Sequence, residues 1–530
     1  MNQEIQFESL KDTLPAPFLA RMAAMLGDEY EAFLASYDRP HRPSLRLGLK
    51  ATLEQARDMV PFLGETVPWQ NLGFYLPGNS APQDEMNEDN EPLRPGKHPL
   101  HDAGLYYIQE ASAMLPASLC PPQSGERVLD LCAAPGGKTT QLATAMKGIG
   151  LLVANEIHAG RAAILSQNVE RMGLTHTVVT NESPASLAER FPSFFDKIVV
   201  DAPCSGEGMF RKEEDAVRMW SPENVALCAA RQIEILDEAA RMLKSGGYLT
   251  YSTCTFAPEE NEGVILEFLL RHPEFEVVPS SEQGIIDSLR AGLLDSGCPR
   301  WVADAERYPP KLLESVKQSY RIFPHHANGG EGHFACLMRK KEDCGALACS
   351  TKRDRNEKNA SKNGKKNAEG EAYNALCLLL KEIGAELPDG AKGAVPCLLG
   401  NKLSLVPAAL CEHKSPSVTD IQARVKGLRI LRAGLTAGEY FPAHNGSGRG
   451  RFEPNHALAL TLSPSQANGV FALDNFEDPM EAARAYLHGE TLPAPSLRGW
   501  HIITLHGLAL GWGKASDGVM KNHYPKGLRH

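Results

Sequence analysis

Residues 127–140 read Arg-Val-Leu-Asp-Leu-Cys-Ala-Ala-Pro-Gly-Gly-Lys-Thr-Thr, an apolar strand followed by a glycine-rich turn and helix-forming residues. A ligand can approach such a turn closely because glycine has no Cβ. The order glycine, lysine, threonine also occurs in triphosphate-binding loops, but that motif requires a glycine where this chain has Cys132. The turn therefore indicates either a nucleoside-type cofactor or an ordinary tight turn.

A second predicted strand ends at Asn155-Glu156, close to the spacing of about 20 residues at which dinucleotide-binding folds carry an acidic residue. A carboxylate at this place accepts hydrogen bonds from ribose hydroxyls. The combination of turn and carboxylate favours a nucleoside cofactor.

Strands and helices alternate along the first two thirds of the chain. We predict strands at 127–131, 150–154, 177–180, 197–201, 248–252 and 333–338, and helices that begin at Thr139, Ala159, Pro222 and Pro258. This alternation is typical of an α/β fold with a Rossmann-like, doubly wound sheet.

The composition limits the class of protein. A chain of 530 residues should form about three or four domains. Its net charge of -10 means that a nucleic-acid partner would be bound by local basic surface. The 12 cysteines include no Cys-x-x-Cys pair, which favours free thiols. Without a signal segment or an apolar run of about 18 residues, we expect a cytoplasmic protein that does not engage a membrane.

Two cysteines directly follow apolar strands, Cys204 after Asp201-Ala-Pro and Cys254 after Tyr251-Ser-Thr. Open α/β sheets bind ligands outside the carboxyl ends of their strands. Free cysteines are otherwise among the most buried and inert residues. The turn-forming neighbours of both residues favour exposure, and two such thiols near a cofactor turn suggest covalent group transfer.

The combined motifs resemble the RNA cytosine-5 methyltransferases of the Nol1/Nop2/Sun family, and within it the bacterial small-subunit ribosomal RNA methyltransferase F group. The matching segments are 109–114, 129–138, 155–156, 201–212, 251–255 and 259–262. The resemblance implies an S-adenosylmethionine-dependent methyltransferase fold with a small N-terminal α+β domain and a C-terminal PUA-like RNA-binding domain.

The resemblance also implies catalytic roles. Cys254 would add to carbon 6 of cytosine, and Cys204 would release the product, directly or through a base. Asp201 would hydrogen-bond the cytosine edge around N3 and the amino group, and it would also border the cofactor. The Pro203-Cys204 pair alone would have indicated Cys204 as the nucleophile, because DNA methyltransferases use the cysteine after proline.

The implied cofactor is S-adenosylmethionine. Glu156 would bind its ribose, and Glu182 its adenine side, where the family usually has an aspartate. Lys138 would either approach the active site or close the turn. The methionine part would lie on the turn formed by Cys132, Ala133, Ala134, Pro135, Gly136, Gly137 and Lys138.

The end of the chain resembles the PUA-like domain in residues 450–458, 511–514 and 521–529. Its basic residues favour a phosphate-binding surface, with a solvated basic tail as the alternative, and we predict that Trp512 and Tyr524 stack on bases. The basic residues are Arg498, Lys514, Lys521, Lys526 and Arg529.

We predict five regions. They are an N-terminal RNA-binding or accessory domain (1–100), the methyltransferase domain (101–340), a flexible polar linker (341–370), a small intermediate domain (371–425) and the PUA-like domain (426–530). The linker should make the C-terminal regions separable, so that removal of residues 371–530 leaves the cofactor site intact.

The expected partner is RNA, and the protein is expected to act as a monomer. The motifs do not distinguish ribosomal from transfer RNA, and the terminal domain favours ribosomal RNA by resemblance. A non-catalytic RNA-binding factor for ribosome assembly is the alternative from another class. Loss of either cysteine or of the glycine turn would have favoured it, and all three are present.

Overall fold

The computed structural model describes residues 10–77, 94–283, 287, 291–326, 330–342, 365–412, 415–442 and 450–530. Residues 343–364 of the predicted linker therefore lie outside the described part of the chain. No helix within the described residues is both long enough and apolar enough to cross a membrane.

A ten-stranded sheet forms the centre of the described structure. Its strands along the chain are β5 (Arg127–Asp130), β6 (Leu151–Asn155), β7 (Thr177–Thr180), β8 (Phe195–Asp201), β9 (Leu243–Thr253), β10 (Phe275–Val277), β11 (Asp295–Ser296), β12 (Tyr320–Ile322), β13 (His333–Lys340) and β16 (Ile430–Ala433). The parallel strands have the order β7-β6-β5-β8-β9, and antiparallel strands extend both sides. The predicted doubly wound sheet is confirmed.

Helices precede and connect these strands. Those of the first 340 residues are α1 (Ala16–Leu26), α2 (Tyr30–Ser36), α3 (Leu53–Met59), α4 (Pro99–Asp102), α5 (Leu115–Leu119), α6 (Gly137–Met146), α7 (Ala159–Arg171), α8 (Pro184–Arg190), α9 (Glu214–Met219), α10 (Pro222–Met242), α11 (Glu262–Arg271) and α12 (Pro310–Ser315). The predicted starts at Ala159 and Pro222 are confirmed. The start predicted at Pro258 is wrong, because residues 258–261 form a turn in which Asn261 accepts a 2.6 Å hydrogen bond from Thr253 Oγ1.

Smaller sheets flank the central one. The N-terminal sheet contains β1 (Ser44–Leu47), β2 (Thr66–Val67), β3 (Gln70–Tyr75) and β4 (Tyr106–Ile108). A second contains β14 (Val395–Leu399), β15 (Lys402–Val406), β17 (Leu435–Phe441) and β18 (Arg451–Pro454). The last contains β19 (Val470–Ala472), β20 (Leu492–Pro493), β21 (Gly499–Leu505), β22 (Leu508–Ser516) and β23 (Val519–Asn522). The C-terminal helices are α13 (Lys365–Glu382), α14 (Val418–Val425), α15 (His456–Thr461) and α16 (Pro479–His488).

The residues after the predicted linker are built into the central sheet. Strand β16 pairs antiparallel with β7, with Ile430 opposite Thr180. Arg127 at the start of β5 donates to the carbonyls of Ala409 at 3.0 Å and Cys411 at 2.9 Å. Apolar side chains of β14, β15 and α14 share one hydrophobic core with the central sheet. The expectation of a C-terminal half separable from the cofactor site is therefore wrong.

Candidate active site

The two strand-end cysteines meet at the carboxyl edge of the central sheet. Cys204 follows β8 and Cys254 follows β9, which is its parallel neighbour. Their Sγ atoms lie 3.3 Å apart, and both side chains are partly exposed. The contact with Cys254, followed by burial, raises the pKa of the Cys204 thiol well above its ordinary value. Cys204 is therefore held as a neutral thiol that can donate to the sulfur of Cys254.

A buried carboxylate fixes the loop that carries Cys204. Glu260 accepts hydrogen bonds from the Ser205 backbone N–H at 3.0 Å, from the Ser205 hydroxyl, and from Gln232 Nε2 at 2.8 Å. The Ser205 hydroxyl also lies 2.8 Å from Thr255 Oγ1, next to Cys254. Burial raises the pKa of Glu260 to about 7. This network holds the loops of the two thiols against each other.

Asp201 ends β8 beside the cysteines. Its Oδ1 accepts a 2.7 Å hydrogen bond from Ser252 Oγ, and its Oδ2 one of 2.7 Å from Lys138 Nζ. His333 Nε2 lies 3.6 Å from Oδ1. Burial alone would raise the pKa of Asp201, but the Lys138 ammonium, which also donates a hydrogen bond, and the nearby His333 hold that pKa well below its usual range. Asp201 is thus an ionised acceptor in the cleft.

Lys138 joins the glycine-rich turn to Asp201. Two roles were expected for Lys138, to approach the active site or to close the turn. Its contact with Asp201 corresponds to the first of them. Sequence reasoning missed His333 and Glu260. For His333, the signal was its position at the start of the strand predicted at 333–338. For Glu260 the signal was its place in the 259–262 motif.

The glycine-rich turn lies between β5 and α6 at the point where the strand order reverses, which is the usual ligand crevice of such sheets. Gly136 has a φ of 119°, a left-handed conformation that favours glycine. Arg161 donates to the Ala134 carbonyl at 2.8 Å, and Asn168 to the Pro135 carbonyl at 2.9 Å. Helix α7 therefore holds the turn in place from one side.

Asp130 closes the other end of the turn. Thr139 Oγ1 donates to its Oδ2 at 2.6 Å, whereas its buried Oδ1 has no hydrogen-bond partner among the described residues. Burial, more than the nearby Asp201, raises the pKa of Asp130 to about 7. A buried acceptor that has no hydrogen-bond donor lowers the stability of the fold. The position therefore suits a ligand with an N–H group.

Glu156 lies at the end of β6, next to the strand that leads into the turn. Its carboxylate accepts a 2.9 Å hydrogen bond from the His158 N–H and lies 3.5 Å from Arg161 Nη1. The side chain is nearly buried. A carboxylate has about four acceptor positions, so capacity for ribose hydroxyls remains.

Glu182 follows β7 and contacts the C-terminal half of the chain. Its Oε1 accepts a 2.6 Å hydrogen bond from the backbone N–H of Arg429, just before β16. The Arg429 carbonyl accepts one of 2.9 Å from the Asn181 N–H. The adenine-side role of Glu182 stays a prediction, with one of its carboxylate oxygens already engaged.

The terminal sheet carries a basic face that we define by Trp500, Lys514 and Lys521. These residues lie opposite one another on β21, β22 and β23, and Lys514 Nζ is 5.0 Å from the Trp500 ring centroid. The prediction that Trp512 and Tyr524 stack on bases is wrong, because both are buried, and Trp512 Nε1 donates to the Asn455 carbonyl at 2.8 Å. Trp500, half-buried, is the aromatic residue that the sequence reasoning missed.

Three protein-family models match this chain. They are described as 16S rRNA methyltransferase RsmB/F (residues 117–339), the N-terminal domain of 16S rRNA methyltransferase RsmF (14–111) and the methyltransferase RsmF PUA domain (474–530). The fold is therefore that of a Rossmann-like methyltransferase with an N-terminal domain and a C-terminal PUA domain.

Similar proteins cover nearly the whole chain. Ribosomal RNA small subunit methyltransferase F of Klebsiella pneumoniae (strain 342) is 39% identical over 97% of this chain and 96% of its own. The protein of that name from Vibrio vulnificus (strain YJ016) is 31% identical over 97% of each chain. The crystal structure of PH0851 is 26% identical and covers 64% of this chain and 69% of its own, with a TM-score of 0.50. This chain belongs to the RsmF family of 16S rRNA methyltransferases.

Proposed function

We propose that the protein methylates carbon 5 of a cytosine in small-subunit ribosomal RNA, with S-adenosylmethionine as the methyl donor. The observation that carries the proposal is the pair of thiols 3.3 Å apart at adjacent strand ends, with the ionised Asp201 next to them. A single strand-end thiol would serve addition alone. Two thiols serve both addition and release.

The residues around the turn fit this cofactor. The backbone from Cys132 to Lys138 would hold the methionine part, and the open Oδ1 of Asp130 suits its ammonium group. The start of α6 at Gly137 offers unpaired N–H groups for a carboxylate. Glu156 would accept the ribose hydroxyls. When bound, S-adenosylmethionine supplies an electrophilic methyl group.

Cys254 makes the cytosine reactive. Its thiolate adds to carbon 6 and forms a carbon–sulfur bond, and the electron pair of the 5,6 double bond then makes carbon 5 nucleophilic. The neutral thiol of Cys204 donates to Cys254 before attack. Ionised Asp201 orients the cytosine by accepting a hydrogen bond from the amino group beside N3, and from N3 once that nitrogen carries a proton. Lys138 and Ser252 hold Asp201 in place.

Release requires loss of the proton on carbon 5. Cys204 is held as a neutral thiol, so it takes this proton directly only after it has lost its own proton to solvent; otherwise it promotes transfer of the proton to a base. The electron pair of the broken C–H bond restores the double bond as the sulfur of Cys254 leaves as a thiolate. Glu260 holds the Cys204 loop in position for this step. Both reactions use residues of one chain, so a monomer suffices for the proposed activity, and the cytoplasm is where its ribosomal RNA substrate is found.

Transfer RNA is the alternative substrate. The full-length similarity to ribosomal RNA methyltransferases, including the terminal PUA domain, favours ribosomal RNA. Bisulfite sequencing of both RNA classes from a deletion strain tests the choice. We expect loss of 5-methylcytosine from small-subunit RNA, restored by the wild-type chain. Loss confined to transfer RNA would reassign the substrate, and no loss in either would remove the proposed activity.

A further inference from the structure

Two histidines and a glutamate meet outside the catalytic cleft. Glu29 lies in the short turn between α1 and α2, and His325 and His326 follow β12. Both Nε2 atoms approach the same oxygen of Glu29, Oε2, from 3.2 Å for His325 and 3.1 Å for His326. Among the described residues, these three side chains form a group whose ligand atoms lie close enough together to hold a metal ion.

The spacing of these atoms fits a coordination shell. Bonds of about 2.0–2.1 Å from a tetrahedral metal to imidazole nitrogen and carboxylate oxygen place the ligand atoms about 3.3 Å apart. A simple ion pair needs only one imidazole on one carboxylate oxygen. Here one carboxylate oxygen, Glu29 Oε2, lies close to two imidazole nitrogens.

The outer contacts of the cluster also suit a metal. The second nitrogen of His326, Nδ1, lies 2.8 Å from Asp295 Oδ2, so a carboxylate orients the ring while Nε2 faces Glu29. Metal-bound histidines commonly donate their other N–H to such a carboxylate. The side chain of His325 is 3% exposed, and its Nδ1 has no hydrogen-bond partner among the described residues.

We propose that Glu29, His325 and His326 bind a divalent transition metal ion of the Zn²⁺ type, with Asp295 orienting His326. Two imidazole ligands favour Zn²⁺ and its neighbours over Mg²⁺ or Ca²⁺, which prefer all-oxygen sites. The remaining coordination position is open to water, because Glu29 and His326 reach the surface.

The place of the cluster gives the metal a structural role. His325 packs edge-on against Phe33 of α2, and the preceding Phe323 stacks on Phe256 with ring centroids 5.4 Å apart. Phe256 is two residues after Cys254. A metal at this point would fasten the N-terminal helices to the segment behind that thiol.

Calorimetry with ZnCl₂ on the full-length, chelator-treated protein tests the site. We expect about one equivalent bound with micromolar or tighter affinity, together with a rise in the unfolding temperature. Glu29→Gln and His326→Ala should each weaken binding at least tenfold. His272→Ala is the matched control and should bind as wild type does, because His272 also contacts two carboxylates, Asp237 and Glu274, but has no second histidine.

The thiols of the catalytic cleft could bind the same ion, so Co²⁺ is used as a spectroscopic probe. A nitrogen and oxygen site gives visible bands without the intense thiolate charge-transfer band in the near ultraviolet. Each of three results would overturn the proposal. The first is the absence of binding, and the second is binding that is unchanged in both Glu29→Gln and His326→Ala. The third is a thiolate band that disappears in Cys204→Ser. Glu29→Gln alone decides the matter if His326→Ala fails to fold.

Discussion

The backbone N–H of Arg429 donates to the carboxylate of Glu182 at 2.6 Å, across 247 positions of sequence. The contact stands where β16 joins the edge of the catalytic sheet beside β7. The C-terminal half therefore forms one wall of the region where the adenine of the cofactor is expected. Cofactor binding and the integrity of the C-terminal half should depend on each other.

Removal of residues 371–530 is expected to lower the unfolding temperature and weaken S-adenosylmethionine binding. The deletion takes away β16 and exposes part of the shared hydrophobic core. Differential scanning and titration calorimetry measure the two effects. A truncated protein with wild-type unfolding temperature and cofactor affinity would contradict this dependence.

A single substitution tests the same interface more gently. Arg432 on β16 forms an ion pair with Glu170 of α7 and is largely buried. Arg432→Ala should lower the free energy of unfolding by about 1 to 3 kcal/mol, since it leaves the partly buried carboxylate of Glu170 without its Arg432 partner. The control is Arg451→Ala, which removes an exposed pair with Glu453 and should change stability by less than about 0.5 kcal/mol. Urea unfolding measures both, and equal costs would argue against a special role for β16.

The basic face of the terminal sheet is expected to bind RNA phosphates. Lys514→Ala and Lys521→Ala should each weaken RNA binding and flatten the slope of log affinity against log salt by about 0.7 to 0.9 per lost contact. Trp500→Ala should cost about 1 to 3 kcal/mol by loss of stacking, with little change in slope. Fluorescence titrations over a salt series separate these effects. The exposed Lys311, on α12, gives the control Lys311→Ala, and an equal effect there would remove the assignment.

Lys138→Met should shift the acidic limb of the pH–rate profile upward. Without the ammonium group of Lys138, the main charge that opposes the effect of burial is gone, and the pKa of Asp201 should rise. Ionised Asp201 would then be lost at a higher pH as pH falls, and so would activity. Lys147→Met, in the same helix region but exposed, serves as control. An unshifted acidic limb would separate Lys138 from the ionisation of Asp201.

Much of this arrangement was accessible from the sequence because it is local. Each parallel strand is a short apolar run, and the turn at Gly136 and the thiols at Cys204 and Cys254 follow strand ends directly. The pairing of β16 with β7 could not be predicted, since the four residues Ile-Leu-Arg-Ala at 430–433 carry no signal for a partner so distant in the sequence. Trp512 was misjudged for a related reason. Its burial depends on packing between elements distant in sequence.

Glu260→Gln should change how stability depends on pH. Burial raises the folded-state pKa of Glu260 from 4.5 to about 7, so its stabilising contribution is complete below pH 4.5 and is lost as pH rises through about 7. Glutamine does not titrate. The unfolding free energy of the variant relative to wild type should therefore increase across this window, by on the order of 3 kcal/mol.

Urea unfolding at several pH values measures that difference. Asp130 titrates in the same window but is present in both proteins, so its contribution cancels. Glu259→Gln, at the exposed neighbouring position, should show no such trend. A difference between Glu260→Gln and wild type that stays constant with pH would contradict the assignment of a raised pKa to Glu260.

The different tasks of the two thiols are the central claim, and denaturing electrophoresis of protein incubated with substrate RNA and S-adenosylmethionine tests it most directly. Cys254→Ala should give neither methylated RNA nor a covalent complex, because no bond to carbon 6 can form. Cys204→Ala should still attack and methylate but release slowly, so a protein–RNA adduct should accumulate and survive denaturation. An adduct that accumulates with Cys254→Ala and not with Cys204→Ala would contradict the account and exchange the roles of the two cysteines.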